Sequence, residues 1–251
     1  MDEPTQRPTP LLRWRGRLLK LECLRQAGGV DDRAIGIFPQ LARGSEAALA
    51  ATAGGALAAA GWARRRGVRL KVALYGSASH EMIEALRLWG AAFERLPTRE
   101  DALRRARQLG GELLPPLDGP KAALELARTL GQELLQDISA APALVVAPAG
   151  ASAALLGSVQ ALRTRWPEVR AIALTAADEE LPELPRAGEF PGVETRAISF
   201  GEASQARSDL ARSSGILASH ASAAAAALAG VNGLAIVTAA GEREFSLERA
   251  T

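Results

Sequence analysis

Short runs of strand-favouring apolar residues alternate along this chain with longer stretches in which apolar positions recur every three to four residues. Leu70-Lys71-Val72-Ala73-Leu74-Tyr75 reads as a strand closed by Gly76, a short β-rich run bounded by a turn residue. Residues 81–93 then place Met82, Ile83, Leu86 and Trp89 on one helical face, and Pro97 ends the segment. A second unit follows the same plan. Residues 143–147 form a buried strand, Pro148-Ala149-Gly150 a turn, and 152–165 a helix that stops at Trp166-Pro167 before a partner strand at 170–175. Late in the chain a small-residue helix at 221–228 leads through Gly230 and Gly233 into a strand at 234–238. Strand and helix in strict alternation predict an α/β protein built from parallel sheets flanked by helices. No internal repeat and no long linker interrupts the pattern.

Composition narrows the function classes. The chain has 251 residues, 48% of them apolar and 23% charged, the balance of a globular protein with a sizeable core. Its 30 basic and 28 acidic side chains are spread along the whole length, which gives no field for nucleic acid or an anionic membrane. Arg64-Arg65-Arg66 reads as a solvated helix end. The single Cys23 fits a reducing compartment, and the polar start lacks the apolar core of a signal peptide. The alanine-rich stretches 47–63 and 215–241 are broken by Gly, Ser, Asn232 and His220, so they read as buried helices and strands rather than membrane spans. A cytoplasmic protein is expected. High alanine, and arginine in place of lysine, resemble the usage of a GC-rich bacterial genome. The consequence for chemistry is that only Lys20, Lys71 and Lys121 carry a primary amine on a side chain.

Seven segments, taken in order, resemble the pyridoxal-phosphate (PLP) dependent enzymes of fold type II, the tryptophan synthase β, threonine synthase and threonine dehydratase group. Thr9-Pro10-Leu11 resembles their opening T-P-L. Lys20-Leu21-Glu22 followed by Gly28-Gly29-Val30-Asp31-Asp32-Arg33 resembles K-x-E and T-G-S-F-K-D-R. Thr52-Ala53-Gly54-Gly55-Ala56 stands where the family has S-S-G-N-H, and Leu88-Trp89-Gly90-Ala91 resembles the end of its l-G-A-e-v helix. The run from Pro148 through Ala149, Gly150, Ala151, Ser152 and Ala153 to Gly157 resembles the glycine-rich phosphate loop. Ser214-Gly215-Ile216 with Ser222-Ala223-Ala224, and Val237-Thr238-Ala239-Ala240-Gly241, resemble the two closing segments. Any one of these could be an ordinary turn; their shared order is what carries the resemblance.

The resemblance implies a two-domain scaffold, a larger domain from 1–41 plus 128–251 and a smaller βαβ domain at 42–127. It implies a cofactor cleft lined by Gly55, Gly150, Ala151, Ser152, Ala153 and Thr238, and homodimers or a heteromer with an active paralogue. It also exposes departures. Asp31 stands where the family carries its Schiff-base lysine, and a carboxylate cannot form an imine. Gly55 replaces the asparagine that contacts the cofactor ring in the family. Alanines thread the phosphate loop, although Ser152 and the helix dipole still favour an anion. The expectation is therefore a pseudoenzyme without a bound cofactor, holding a partner or a small anionic ligand in the old cleft. Two other readings stay open. One is an active PLP-dependent lyase or synthase anchored on Lys20, Lys71 or Lys121; the other is an enzyme of different chemistry with Asp31 as base. Two histidines and one cysteine argue against a metal site.

Overall fold

The computed structural model describes residues 7–177 and 192–244. Two parallel-stranded sheets, each covered by helices, organise these residues. The larger sheet has strand order β1-β2-β10-β7-β8-β9, where β1 is Leu11–Trp14, β2 Arg17–Lys20, β7 Leu144–Pro148, β8 Arg170–Ala176, β9 Glu194–Ile198 and β10 Leu234–Ile236. Only β1 and β2 are antiparallel; the rest run parallel. That hairpin turns at Arg15 and Gly16, both with positive φ, the backbone that a two-residue turn between twisted strands requires. The smaller sheet, order β5-β4-β3-β6, is parallel throughout: β3 Glu46–Ala51, β4 Arg69–Tyr75, β5 Ala92–Leu96 and β6 Glu112–Leu113.

Helices carry the chain between these strands. Helix α1 (Asp31–Ala34) is a single turn; α2 (Ala53–Arg66) joins β3 to β4, α3 (His80–Leu88) joins β4 to β5, and α4 (Arg99–Gln108) joins β5 to β6. Helices α5 (Pro120–Leu126) and α6 (Gln132–Asp137) precede β7; α7 (Ser152–Arg165) joins β7 to β8, and α8 (Phe200–Ser214) and α9 (His220–Leu228) precede β10. The helix read at 152–165 and the strand after it fall where the sequence places them. The helix read at 81–93 does not: it ends at Leu88, Gly90 takes φ +76°, and Phe93 lies in β5 opposite Val72. Trp89 mimics another helical turn, but the left-handed glycine ends the helix.

The segment 42–127 contains the whole smaller sheet. Its last helix, α5, packs against α7 of the larger sheet instead. Gly157 of α7 faces α5 so closely that a Cβ there would lie 2.4 Å from the Ala123 carbonyl oxygen. Gly157, a residue of the matched loop, is thus a helix-packing position. We propose that the domain boundary falls in the loop before α5.

A buried charge cluster ties the start of the chain to α6. The Lys20 ammonium is fully buried and contacts Glu133, the Thr9 carbonyl oxygen (2.9 Å) and Asp137 (2.8 Å). Arg33 grips Glu22 through two bonds of 2.7 Å and reaches Glu133 at 2.7 Å. The Thr9 hydroxyl donates to Glu22. Lys20 and Arg33, matched to family positions by sequence, here form a closed ionic network in the fold's interior.

Candidate active site

Parallel sheets present the loops after their strands on one edge, where α/β proteins build sites. Here the carboxyl ends of both sheets face one cleft of about 480 Å³. Thr52 to Gly54 follow β3, Tyr75 to Ser77 end β4, Ala149 to Ser152 follow β7, and Thr238 and Ala239 follow β10. Asp31, the first residue of α1, lines the same cleft. So do Gly150, Ala151, Ser152 and Thr238, as the sequence suggests.

Gly55 and Ala153 are corrections. Gly55 is buried inside α2, with its missing Cβ directed at Ala51 and Leu117, and Gly54 lines the cleft instead. Ala153 is likewise buried and packs in the core below the cleft. One residue along a helix turns the side-chain direction by about 100°, so a one-place shift moves a residue from wall to core.

Asp31 is the most perturbed acid of the cleft wall. A Cβ on Gly54 would sit 2.6 Å from Asp31 Oδ2 and 4.0 Å from a guanidinium nitrogen of Arg243. That guanidinium in turn rests on Gly28 and Gly29, whose absent Cβ atoms would lie 3.1 Å from it. Three glycines thus cradle the carboxylate of Asp31 and the guanidinium of Arg243. Burial pushes the Asp31 carboxyl up to about 6; Arg243 opposes the rise, and Asp32 and Asp118 add to it. Burial also raises Asp32, against the pull of the Ala27 N–H, which donates to it at 2.6 Å.

Arg243 gives no signal in the sequence, being one arginine among many. Its backbone holds it. The Ser79 hydroxyl, which caps α3, donates to the Arg243 carbonyl oxygen. The next residue, Glu244, is fully buried and accepts from the His220 backbone N–H at 2.8 Å, with the His220 ring Nδ1 at 2.7 Å. The buried Arg207 donates to the carbonyl oxygens of Ala218 and Gly241 at 3.0 Å each. Residues 241–244 therefore strap α3 of the smaller sheet to α8 and α9 of the larger.

Two further groups complete the walls. Asp118 accepts from the Tyr75 hydroxyl (2.6 Å) and from two Arg99 nitrogens (2.8 and 3.1 Å). Burial works to raise the Asp118 carboxyl, but the bonds from Arg99 and Tyr75 prevail and hold it below its ordinary range. Burial, then the Asp118 charge, pushes the Tyr75 hydroxyl up. Behind the other wall, the buried Ser222 Oγ accepts from the N–H groups of Thr238 and Ala239 and lies 3.1 Å from the Thr238 hydroxyl. The first turns of α2 and α7 open towards the cleft with no side-chain cap on either, leaving backbone N–H groups and positive dipole ends for an anion. No residue of the turn 149–151 has positive φ, so alanines fit there as well as glycines would.

A family model described as pyridoxal-phosphate dependent enzyme matches residues 3–195. The chain belongs to this family. Solved structures of the family's fold superimpose over nearly all of it. O-ureido-L-serine synthase matches with a TM-score of 0.81 at 22% identity, covering 98% of this chain and 94% of that one. The O-acetylserine dependent cystathionine beta-synthase from Helicobacter pylori matches with a TM-score of 0.80 at 20% identity, covering 98% and 97%. At this identity the likeness shows the fold. No curated protein sequence matches the chain.

The residues present do not fit the family's covalently held cofactor. Asp31 and Arg243 fill the space beside Gly54, and the three lysines are elsewhere. Lys20 is locked in its buried cluster. Lys71 pairs with Glu46 at 2.9 Å, at the end of β4 remote from Tyr75 and the cleft. Lys121 lines a separate surface groove with Leu113 and Pro116. Among the described residues no cluster of His, Cys, Asp and Glu could hold a metal ion, and no helix is long and apolar enough to cross a membrane.

Asp31 also sets a pH dependence for stability. Its folded value lies above the ordinary 3.8, so the group favours the folded state when protonated, and that advantage is lost as pH rises through about 6. Asp31→Asn should therefore stabilise the protein by about 1–2 kcal/mol near pH 7.5, with the gain gone by about pH 4. Urea melts of both proteins across that range check this. A constant difference at every pH would mean that burial does not penalise the charge.

Proposed function

We propose that this chain is a family member without Schiff-base catalysis, whose cleft binds a small anionic ligand with no covalent anchor. One observation carries the reading: the position resembling the family lysine presents a carboxylate in the cleft, beside Gly54. Supporting it, the uncapped first turn of α7 with Ser152 retains an anion seat, while every lysine lies outside the cleft. Self-association, or pairing with an active relative, is part of the proposal. Light scattering of the purified chain checks the first, and a fully monomeric protein would remove it.

The binding test compares pyridoxal 5′-phosphate with pyridoxine 5′-phosphate, which differ only in the aldehyde that an amine would trap. A cleft that holds only the phosphate and ring should bind both within about threefold, because no covalent bond rewards the aldehyde. Much tighter binding of the aldehyde would point to a lysine anchor.

A second reading has its own observation. A cleft carboxyl with a value of about 6 is poised for proton transfer near neutrality. An acid–base enzyme using Asp31 would show a turnover that Asp31→Asn abolishes and that titrates near pH 6. Activity untouched by that substitution would dismiss it.

A further inference from the structure

Among the described residues two carboxylates line the cleft, Asp31 and Asp118, and the fold treats them differently. Asp118 accepts on both oxygens, from the Tyr75 hydroxyl and from two nitrogens of Arg99. Asp31 has no hydrogen-bond or ion-pair partner among the described residues. Its neighbour Asp32 is satisfied by the Ala27 N–H at 2.6 Å, so the open carboxylate belongs to position 31 and not to the whole turn. The backbone that carries it is firmly held. The Val30 N–H donates to the Thr238 carbonyl oxygen at 2.9 Å, and the Ala240 N–H donates to that of Gly28 at 3.1 Å. Gly54 leaves the carboxylate its room, since a Cβ there would lie 2.6 Å from Asp31 Oδ2. A carboxylate fixed on a cleft wall without donors of its own is an acceptor for the donors of a ligand. Burial pushes it up to about 6, and among the charges acting on it Arg243 is opposed by Asp32 and Asp118.

We propose that Asp31 recognises a protonated primary amine, so that the cleft takes a small anionic molecule that also carries an ammonium group. The inference rests on the anion-binding reading of the cleft and adds the class of ligand. Position 31 resembles the family lysine with its polarity reversed. A carboxylate stands on the protein, and the complementary amine belongs to the ligand. An ammonium brings three N–H donors and a full positive charge, which are what the Asp31 carboxylate lacks. Hydrogen bonds between such charged partners are roughly twice as strong as neutral ones. A ligand hydroxyl in the same place offers one donor and no charge, so the cleft can choose between molecules that are otherwise alike. Asp118 does not draw the amine away, because Arg99 and Tyr75 already occupy it. No covalent bond is made or broken.

Pyridoxamine 5′-phosphate and pyridoxine 5′-phosphate are the probes, since they differ only in an aminomethyl against a hydroxymethyl group. Isothermal titration of the full chain at about pH 7.5, where Asp31 is charged, should show the amine binding at least about tenfold more tightly. Asp31→Asn keeps the shape and removes the charge, and it should bring that ratio below about threefold. Near-ultraviolet circular dichroism verifies that the variant keeps the native packing. A wild-type ratio below about threefold would overturn the inference and leave the anion-binding reading in place. A ratio that survives in the folded Asp31→Asn would overturn the assignment to this residue. Pyridoxamine without its phosphate separates the two readings. If it binds as tightly as the phosphate ester, the anion-binding reading falls and the amine site at Asp31 stands. If none of the three compounds binds, both fall.

Discussion

Replacing Arg33 by alanine should cost about 3–5 kcal/mol of folding stability, the largest single loss expected anywhere in the described structure. Arg33 is almost fully buried and neutralises Glu22 and Glu133, both drawn out of water. Removing it leaves Glu22 without its bidentate partner, next to a Thr9 hydroxyl that can satisfy only one oxygen. Lys20→Met should act in the same direction, since Glu133 then keeps one of its two cations. Because both side chains share Glu133, the double substitution should cost less than the sum of the two. Urea unfolding followed by circular dichroism measures all three. A loss under about 1 kcal/mol for Arg33→Ala would mean that solvent reaches the cluster and that the network is not the tie between the β1–β2 hairpin and α6.

The second large effect concerns chemistry. Asp31→Lys alone should yield a protein that gains no activity and no lysine-bound cofactor. The reason is electrostatic: the Arg243 charge already acts on position 31, and a second cation there meets like charge. The new ammonium would be driven towards its neutral form, yet it would still face the guanidinium on the Gly28–Gly29 cradle. Adding Arg243→Ala should remove that like charge, and adding Gly54→Asn should then supply a polar side chain at the glycine that lines this wall in place of Gly55. The triple variant is expected to acquire visible absorbance with PLP where the single variant stays colourless. Absorbance scans and intact-mass spectra distinguish them. A yellow single variant would show that Arg243 is no obstacle.

The fold is legible where apolar periodicity and punctuation agree. Helix α7 begins at Ser152 and ends before Trp166-Pro167 because both boundaries are written in local chemistry. Strand β3, with the sequence Glu-Ala-Ala-Leu-Ala-Ala, carries residues that favour helices, and only its parallel pairing with β4 and β6 makes it a strand. The helix read through Phe93 fails because a single left-handed glycine outweighs a well-placed tryptophan.

The site is legible only in outline. Asp31, Gly150, Ala151, Ser152 and Thr238 can be found because they sit in segments resembling the family. Gly54 escapes by one residue, and on a helix that is the difference between cleft and core. Arg243, Tyr75, Arg99, Asp118 and Ser219 lie in no shared motif, and the tertiary fold alone gathers them. The strap that presents Arg243 depends on contacts spanning more than 160 positions between Ser79 and Arg243, which no local pattern can carry.

The central claim is that PLP, if it enters this cleft, is never held by an amine. Borohydride treatment of the wild-type chain in excess PLP, followed by peptide mass mapping, tests it most directly. Lys20, Lys71 and Lys121 are expected to show no preferential stable adduct over the same protein unfolded in urea, and the folded protein is expected to stay colourless. Stoichiometric trapping on any one of the three lysines of the folded protein, with matching visible absorbance, would contradict it.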